Sequence, residues 1–207
     1  GDTDTAAQLI IALTKTLYMR GPETQAKPRL EAVYGKINHD SDLGIRITIL
    51  LGVVYNRDGM YERGILFFDQ ALTSLEPREP GQANILALHH RGQAYLAQGD
   101  IHAARADAMR AIELARSLNK DTPLAESLYL LANIEERAGA DDESFRSLLE
   151  AEDILKSAGE KNIFSWVLNL HAILLWRQGK LDDALSLWIQ AAKIGREIGF
   201  KRILGLA

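Results

Sequence analysis

Gly59, Gly99, Gly139 and Gly179 stand 40 residues apart, a fixed period that runs through most of the chain. Such a period means that one structural unit is repeated, and each unit must bury its apolar face against its neighbours. Three further columns keep the same register. Ala71, Ala111, Ala151 and Ala191 form one, Gly64, Ala104, Ser144 and Ala184 a second, and Gly52, Gly92, Ala132 and Ala172 a third. All are small, so two backbones can approach closely at these levels, while Phe68, Leu148 and Trp188 fill the space alongside.

Each unit reads as two helices about its turn glycine. Before Gly99, the segment Ile85 to Gln98 carries Leu88, Tyr95 and Leu96 near helical spacing; after it, Ile101, Ala104, Ala108, Ala111 and Ile112 continue the period. Glycine suits the left-handed backbone that closes a helix, and Asp100, Asp141 and Asp142 lie where the next N-terminus favours an acid. Asn119, Gly159 and Gly199, again 40 apart, are expected to end the second helices. Pro77, Pro80 and Pro123 are expected in the connections, where a missing amide hydrogen is harmless.

These residues resemble the tetratricopeptide repeat family. The pattern appears as Leu51, Gly52, Tyr55, Gly59, Tyr61, Phe68 and Ala71 in one unit, and as Leu88, Gly92, Tyr95, Gly99, Ala104 and Ala111 in the next. Later units depart from it: Ala132 and Ala172 replace the first glycine, and Glu135 and Leu175 replace the tyrosine. The resemblance implies an all-α fold, a right-handed superhelical array (α-α solenoid) of tetratricopeptide-like helix hairpins. The expected division is a degenerate N-terminal hairpin over 1–40, repeats at 43–79, 80–120, 121–160 and 161–199, and the start of a truncated helix at 200–207. Leu13, Leu17, Gly21, Ala26, Leu30 and Val33 carry the weaker upstream register. The period exceeds the usual 34 residues, and the extra six would add roughly 9 Å if helical. Longer repeats of this kind are similar to those in the sensor region of maltose-regulator-type transcription factors and in some bacterial signalling proteins.

In this family the first helices of successive hairpins line a concave surface, so columns at the same period define the expected groove. They are Ile49, His89, Tyr129 and Asn169; Val53, Gln93, Asn133 and Ile173; Asn56, Leu96, Glu136 and Trp176; and Arg57, Ala97, Arg137 and Arg177. Amides such as Gln93, Asn133 and Asn169 can donate to and accept from a peptide backbone. Tyr129, Trp166 and Trp176 offer large contact faces, although the same indoles could pack between neighbouring helices. Three arginines in the last column suit a ligand with acidic groups, because guanidinium matches carboxylate as a fork. Their position in a last helical turn, where the dipole favours a cation, accounts for them equally. The family's carboxylate clamp needs lysines, and Tyr129 and Asn169 stand where one would be sought.

Composition narrows the remaining classes. A formal charge of −4 gives no footprint for nucleic acid. There is no cysteine, hence no disulfide, thiolate metal site or sulfur nucleophile. The longest apolar stretch, Ile47 to Tyr55, is broken by Thr48 and Gly52 and is too short to span a bilayer. His39, His89, His90, His102 and His171 recur at no metal-ligand spacing. Asp141-Asp142-Glu143 and Asp182-Asp183 sit at helix starts, where the dipole explains them without catalysis. No phosphate loop and no nucleophile elbow is present. The sequence is expected to encode no enzyme and to need no cofactor or metal. A protein or peptide partner is expected, with the chain serving as the sensing or docking region of a larger regulatory protein, or else as a stand-alone assembly adaptor or oligomerisation module that forms homo-oligomers; a helical enzyme is the remote alternative. Gly1 in place of Met, and an end at Leu206-Ala207, suggest a chain cut at both termini; the compartment is open between cytoplasm and export.

Overall fold

Residues 26–198 are described by a computed structural model. Within them lie nine helices and no strand. The helices are α1 (Ala26–Tyr34), α2 (Asp42–Arg57), α3 (Tyr61–Leu75), α4 (Gln82–Gln98), α5 (Ile101–Ser117), α6 (Asp121–Arg137), α7 (Asp141–Ala158), α8 (Lys161–Arg177) and α9 (Leu181–Glu197). The expected upstream register at Leu13, Leu17 and Gly21, the stop at Gly199 and the segment 200–207 lie outside the described residues. The chain divides into two compact units between Asp107 and Ala108, within α5.

The turns follow from backbone chemistry. Gly99 has φ of 85°, where a Cβ would be strained. Its amide donates to the Leu96 carbonyl and the Asp100 amide to that of Tyr95, at 3.1 and 2.9 Å, the paired bonds of a Schellman ending. The same pair of bonds closes the chain at Gly59, Asn119, Gly139 and Gly179. Asn119 reaches the left-handed region at φ 51°, and its short polar side chain tolerates that conformation. Two starts are capped by a side chain: Ser41 Oγ accepts from the Gly44 amide, and Asp100 Oδ1 from that of Ala103, each at 3.0 Å. Pro123 departs from expectation. It lies inside the first turn of α6, where its absent N–H is one the helix leaves unused.

In the first unit α2 packs on α3, and α3 on α4. Phe68 is fully buried among Ile45, Ile49, Ala71, Leu75 and Ala87. A Cβ on Gly52 would meet the Phe68 ring at 2.5 Å, so glycine here is dictated by the ring opposite. The second unit repeats the arrangement with α6 on α7 and α8 on α9. Ala132 and Leu148 take the Gly52 and Phe68 positions, both fully buried, and the Ser144 hydroxyl donates to the Ala132 carbonyl at 2.8 Å. Thus the smaller partner in one helix follows the larger one in the other. The small-residue columns, Ala71 to Ala191 among them, are buried throughout.

Two ionic clusters fix helix pairs inside the units. Arg91 on α4 donates from Nε and Nη2 to both oxygens of Asp107 at 2.7 Å, and from Nη1 to Asp69 at 2.5 Å. In the second unit His171 on α8 pairs with Glu152 on α7, with the Phe145 ring edge-on to the imidazole. Burial pushes the Glu152 carboxyl up, but hydrogen bonds and charge from His171 and Lys156 outweigh it and hold it below the ordinary carboxylate range.

Candidate functional site

The expected groove residues fall on the first helices of the hairpins, with different fates in the two units. In the first unit Ile49 is buried in the core on α2, and Val53 is half-buried beside it. Asn56 ties helices together: its Nδ2 donates to the His90 carbonyl at 2.9 Å, linking α2 to α4. Its Oδ1 is buried with no protein partner, and Gly64 leaves room for it, since a Cβ there would come within 2.0 Å. Arg57 is exposed. On α4, His89 is buried and its Nδ1 has no protein partner. Burial first, and the neighbouring His90 second, push this imidazole down to about 3, so it is neutral near pH 7. Gln93 is exposed and accepts from His90 Nδ1 at 3.0 Å. Of the eight residues the columns place in this unit, Arg57, Gln93 and Ala97 are the exposed ones.

The second unit presents a more open face. On α6, Tyr129, Asn133 and Glu136 are half-buried and Arg137 exposed. On α8, Trp166, Asn169, Trp176 and Arg177 are exposed and Ile173 half-buried. Trp176 is 55% exposed and Trp166 39%, so neither indole is a core residue. Tyr129 and Trp166 meet across the two helices with ring centroids 6.4 Å apart at a 32° tilt. Asn133 Nδ2 donates to the Tyr129 carbonyl at 2.7 Å, one turn back on its own helix. Arg177 pairs with Glu136, and its other nitrogen lies 3.4 Å from Asp141. The third and fourth columns therefore satisfy one another at this point, and a ligand carboxylate would have to displace Glu136 from Arg177.

One acidic residue on this face has no counterpart in the sequence columns. Glu126 on α6 lies one turn before Tyr129 and at the register position of Trp166. It is half-buried, and burial first and the Glu160 charge second push its carboxyl up to about 7. The i,i+3 spacing to Tyr129 is the sequence signal that points to it. Among the described residues no group of three histidine, aspartate or glutamate side chains could hold a metal, and no helix is long and apolar enough to cross a membrane.

Residues 85–118 and 165–188 each match a model of the tetratricopeptide repeat, so the chain carries repeats of that kind in both stretches. No curated protein matches it by sequence. Solved structures similar to it include BtubC (BKLC) from P. vanneervenii, at 15% identity and a TM-score of 0.76 over 95% of this chain and 82% of that one. A Signal Transduction ATPase with Numerous Domains from Pyrococcus horikoshii, with a tetratricopeptide repeat sensor, gives 15% identity and 0.75 over 95% of this chain. A Rap protein complexed with Competence and Sporulation Factor gives 12% and 0.81 over 96%. The chain spans 30% of the ATPase and 55% of the Rap protein. At such identities the likeness establishes the all-α repeat fold.

Proposed function

We propose that the chain is the sensing or docking region of a larger regulatory or signalling protein, and that the first-helix face of its second unit binds a protein or peptide. Tetratricopeptide repeats are protein-interaction scaffolds, and the reading is supported most by the open indoles of Trp166 and Trp176 on a face whose underlying core is already closed. Large aromatic faces left in water are a cost that a bound partner relieves. Similarity to a sensor-bearing ATPase and to a Rap protein bound to a signalling factor supports the regulatory part of the proposal. Asn133 and Asn169 would meet main-chain groups, and Arg137 and Arg177 would meet acidic groups in exchange for their present partners, Glu136 in the case of Arg177. No catalytic role is proposed.

The test is panning of a random short-peptide library against the immobilised protein, followed by affinity measurement on Trp166→Ala and Asn169→Ala. Selected peptides should bind each variant at least about tenfold more weakly while the denaturation midpoint stays close to that of the parent. Equal affinity for parent and variants rejects this face.

A second reading, an oligomerisation module, is supported by a stripe on α9. Leu181, Leu185 and Ile189, spaced by four, are 60, 56 and 62% exposed. Light scattering on the purified chain tests it: a dimer that Leu185→Lys splits supports the module, and a monomer at all concentrations rejects it.

A further inference from the structure

On α9 an apolar edge is exposed at positions that receive a helix elsewhere in the same unit. On α7, Asp141 lies 3.4 Å from Arg177 and the Phe145 ring stands edge-on to that of His171, so both positions face α8. Forty residues on, the equivalent positions on α9 are Leu181 and Leu185, which with Ile189 make the stripe that is more than half exposed. A spacing of four rotates each residue by about 40° from the last, so the three lie along one edge of the helix.

Charges flank this edge in a set order. Asp182, in the acidic first turn, and Lys193, past Ile189, lie on the same flank, about 60° and 80° around the helix from Leu185. Both are exposed. Counted from Leu187, midway between Leu185 and Ile189, Asp182 stands five residues before and Lys193 six after.

We propose that this edge pairs with α9 of a second copy of the chain, the two helices antiparallel about a two-fold axis at the level of Leu187. The inference rests on the oligomerisation reading above and adds the partner helix and its direction. Self-complementarity carries it. Such an axis sets Leu185 of each copy against Ile189 of the other and keeps each flank on its own side. Asp182 of one copy then comes within one residue of level with Lys193 of the other, and the same pair forms twice. The helix dipoles, opposed head to tail, act in the same sense. A parallel pair would set acid level with acid and base level with base. Burial of the stripe supplies the affinity, and the charges fix the direction.

The test is sedimentation velocity on the intact chain and on variants at exposed positions, with helicity checked by circular dichroism. The parent should dimerise. Asp182→Lys and Lys193→Asp each turn two attractions per dimer into two repulsions, and each should weaken self-association at least about tenfold. Mixed in equal amounts, the two variants regain both opposite-charge pairs in a heterodimer, which should form within about threefold of the parent affinity. Asp183→Lys makes the same charge change in the same turn but about 160° around the helix from Leu185, and should leave dimerisation unaltered. A parent dimer that tolerates both reversals, or variants that gain nothing on mixing, overturns the antiparallel pairing and leaves the oligomerisation reading standing. A parent that stays monomeric at every concentration overturns both.

Discussion

A single methyl group at Gly52 tests how these hairpins set their helix spacing. The alanine Cβ would lie 2.5, 2.7 and 2.9 Å from three ring carbons of Phe68, whereas ordinary contact begins near 3.4 Å. Retreat is blocked, because Phe68 is fully buried among Ile45, Ile49, Ala71, Leu75 and Ala87 and stacks on His90 with centroids 6.1 Å apart. Overpacking of this kind costs about 1–3 kcal/mol. Alanine recovers up to about 1 kcal/mol of helix propensity over glycine. Gly52→Ala should therefore destabilise the chain by about 0.5–2 kcal/mol, in a helix position where alanine normally stabilises. Phe68→Leu alone should cost about 1–2 kcal/mol for the space it leaves. The double variant reproduces the Ala132 and Leu148 pair of the second unit and should be more stable than the sum of the single effects predicts, by about 1–2 kcal/mol. Urea denaturation followed by circular dichroism and by tryptophan fluorescence measures all four corners of the cycle. Additive effects within about 0.5 kcal/mol would show that the two positions do not oppose each other, and the packing logic would fall.

Other outcomes follow from the buried polar groups. Arg91→Ala should cost about 3–5 kcal/mol, because it leaves Asp107, with a side chain 8% exposed, without its counter-ion; Arg91→Lys should recover only part, as one ammonium cannot replace a fork held by both carboxylate oxygens. Urea midpoints would show it, and a loss below about 1 kcal/mol for Arg91→Ala would contradict the role. His89, held near 3 in the fold against an ordinary value of 6.5, takes up its proton on unfolding. Its contribution is then complete above about pH 6.5 and is lost as pH falls toward 3, by roughly 2 kcal/mol at about pH 5. The variant His89→Leu should flatten the pH dependence of the urea midpoint in that window, and an unchanged slope would show that the imidazole is not buried in the neutral form.

Much of the fold is legible in the sequence because it is written in residues with few alternatives. A positive φ and a close helix crossing both demand small side chains, and a tandem repeat states the demand several times. Gly99 and Ala111 could be read this way without coordinates. The rotation of each helix about its axis is written less plainly. A column spaced by 40 shows which residues are equivalent, but Ile49 and Tyr129 share a column while one is core and the other half-open, because the residue packed against each differs. The pairs Arg91 with Asp107, His171 with Glu152, and Asn56 with the His90 carbonyl depend on that rotation, and no spacing rule announces them. Pro123 reads as part of a connection because no capping side chain marks the start of α6 ahead of it. Glu126 was hidden for a simpler reason: it lies one turn before the columns that the small residues defined.

The central claim is that the first-helix face of the second unit is where a polypeptide docks. Amide and indole NMR shifts of the labelled chain, recorded on titration with a peptide selected by panning, test it most directly. The account predicts shifts centred on Tyr129, Asn133, Trp166 and Asn169, including the Trp166 indole N–H, with second-helix positions such as Leu149 and Ile189 unmoved. A footprint centred on α7 or α9 instead, with the Trp166 indole unmoved at saturation, would contradict it.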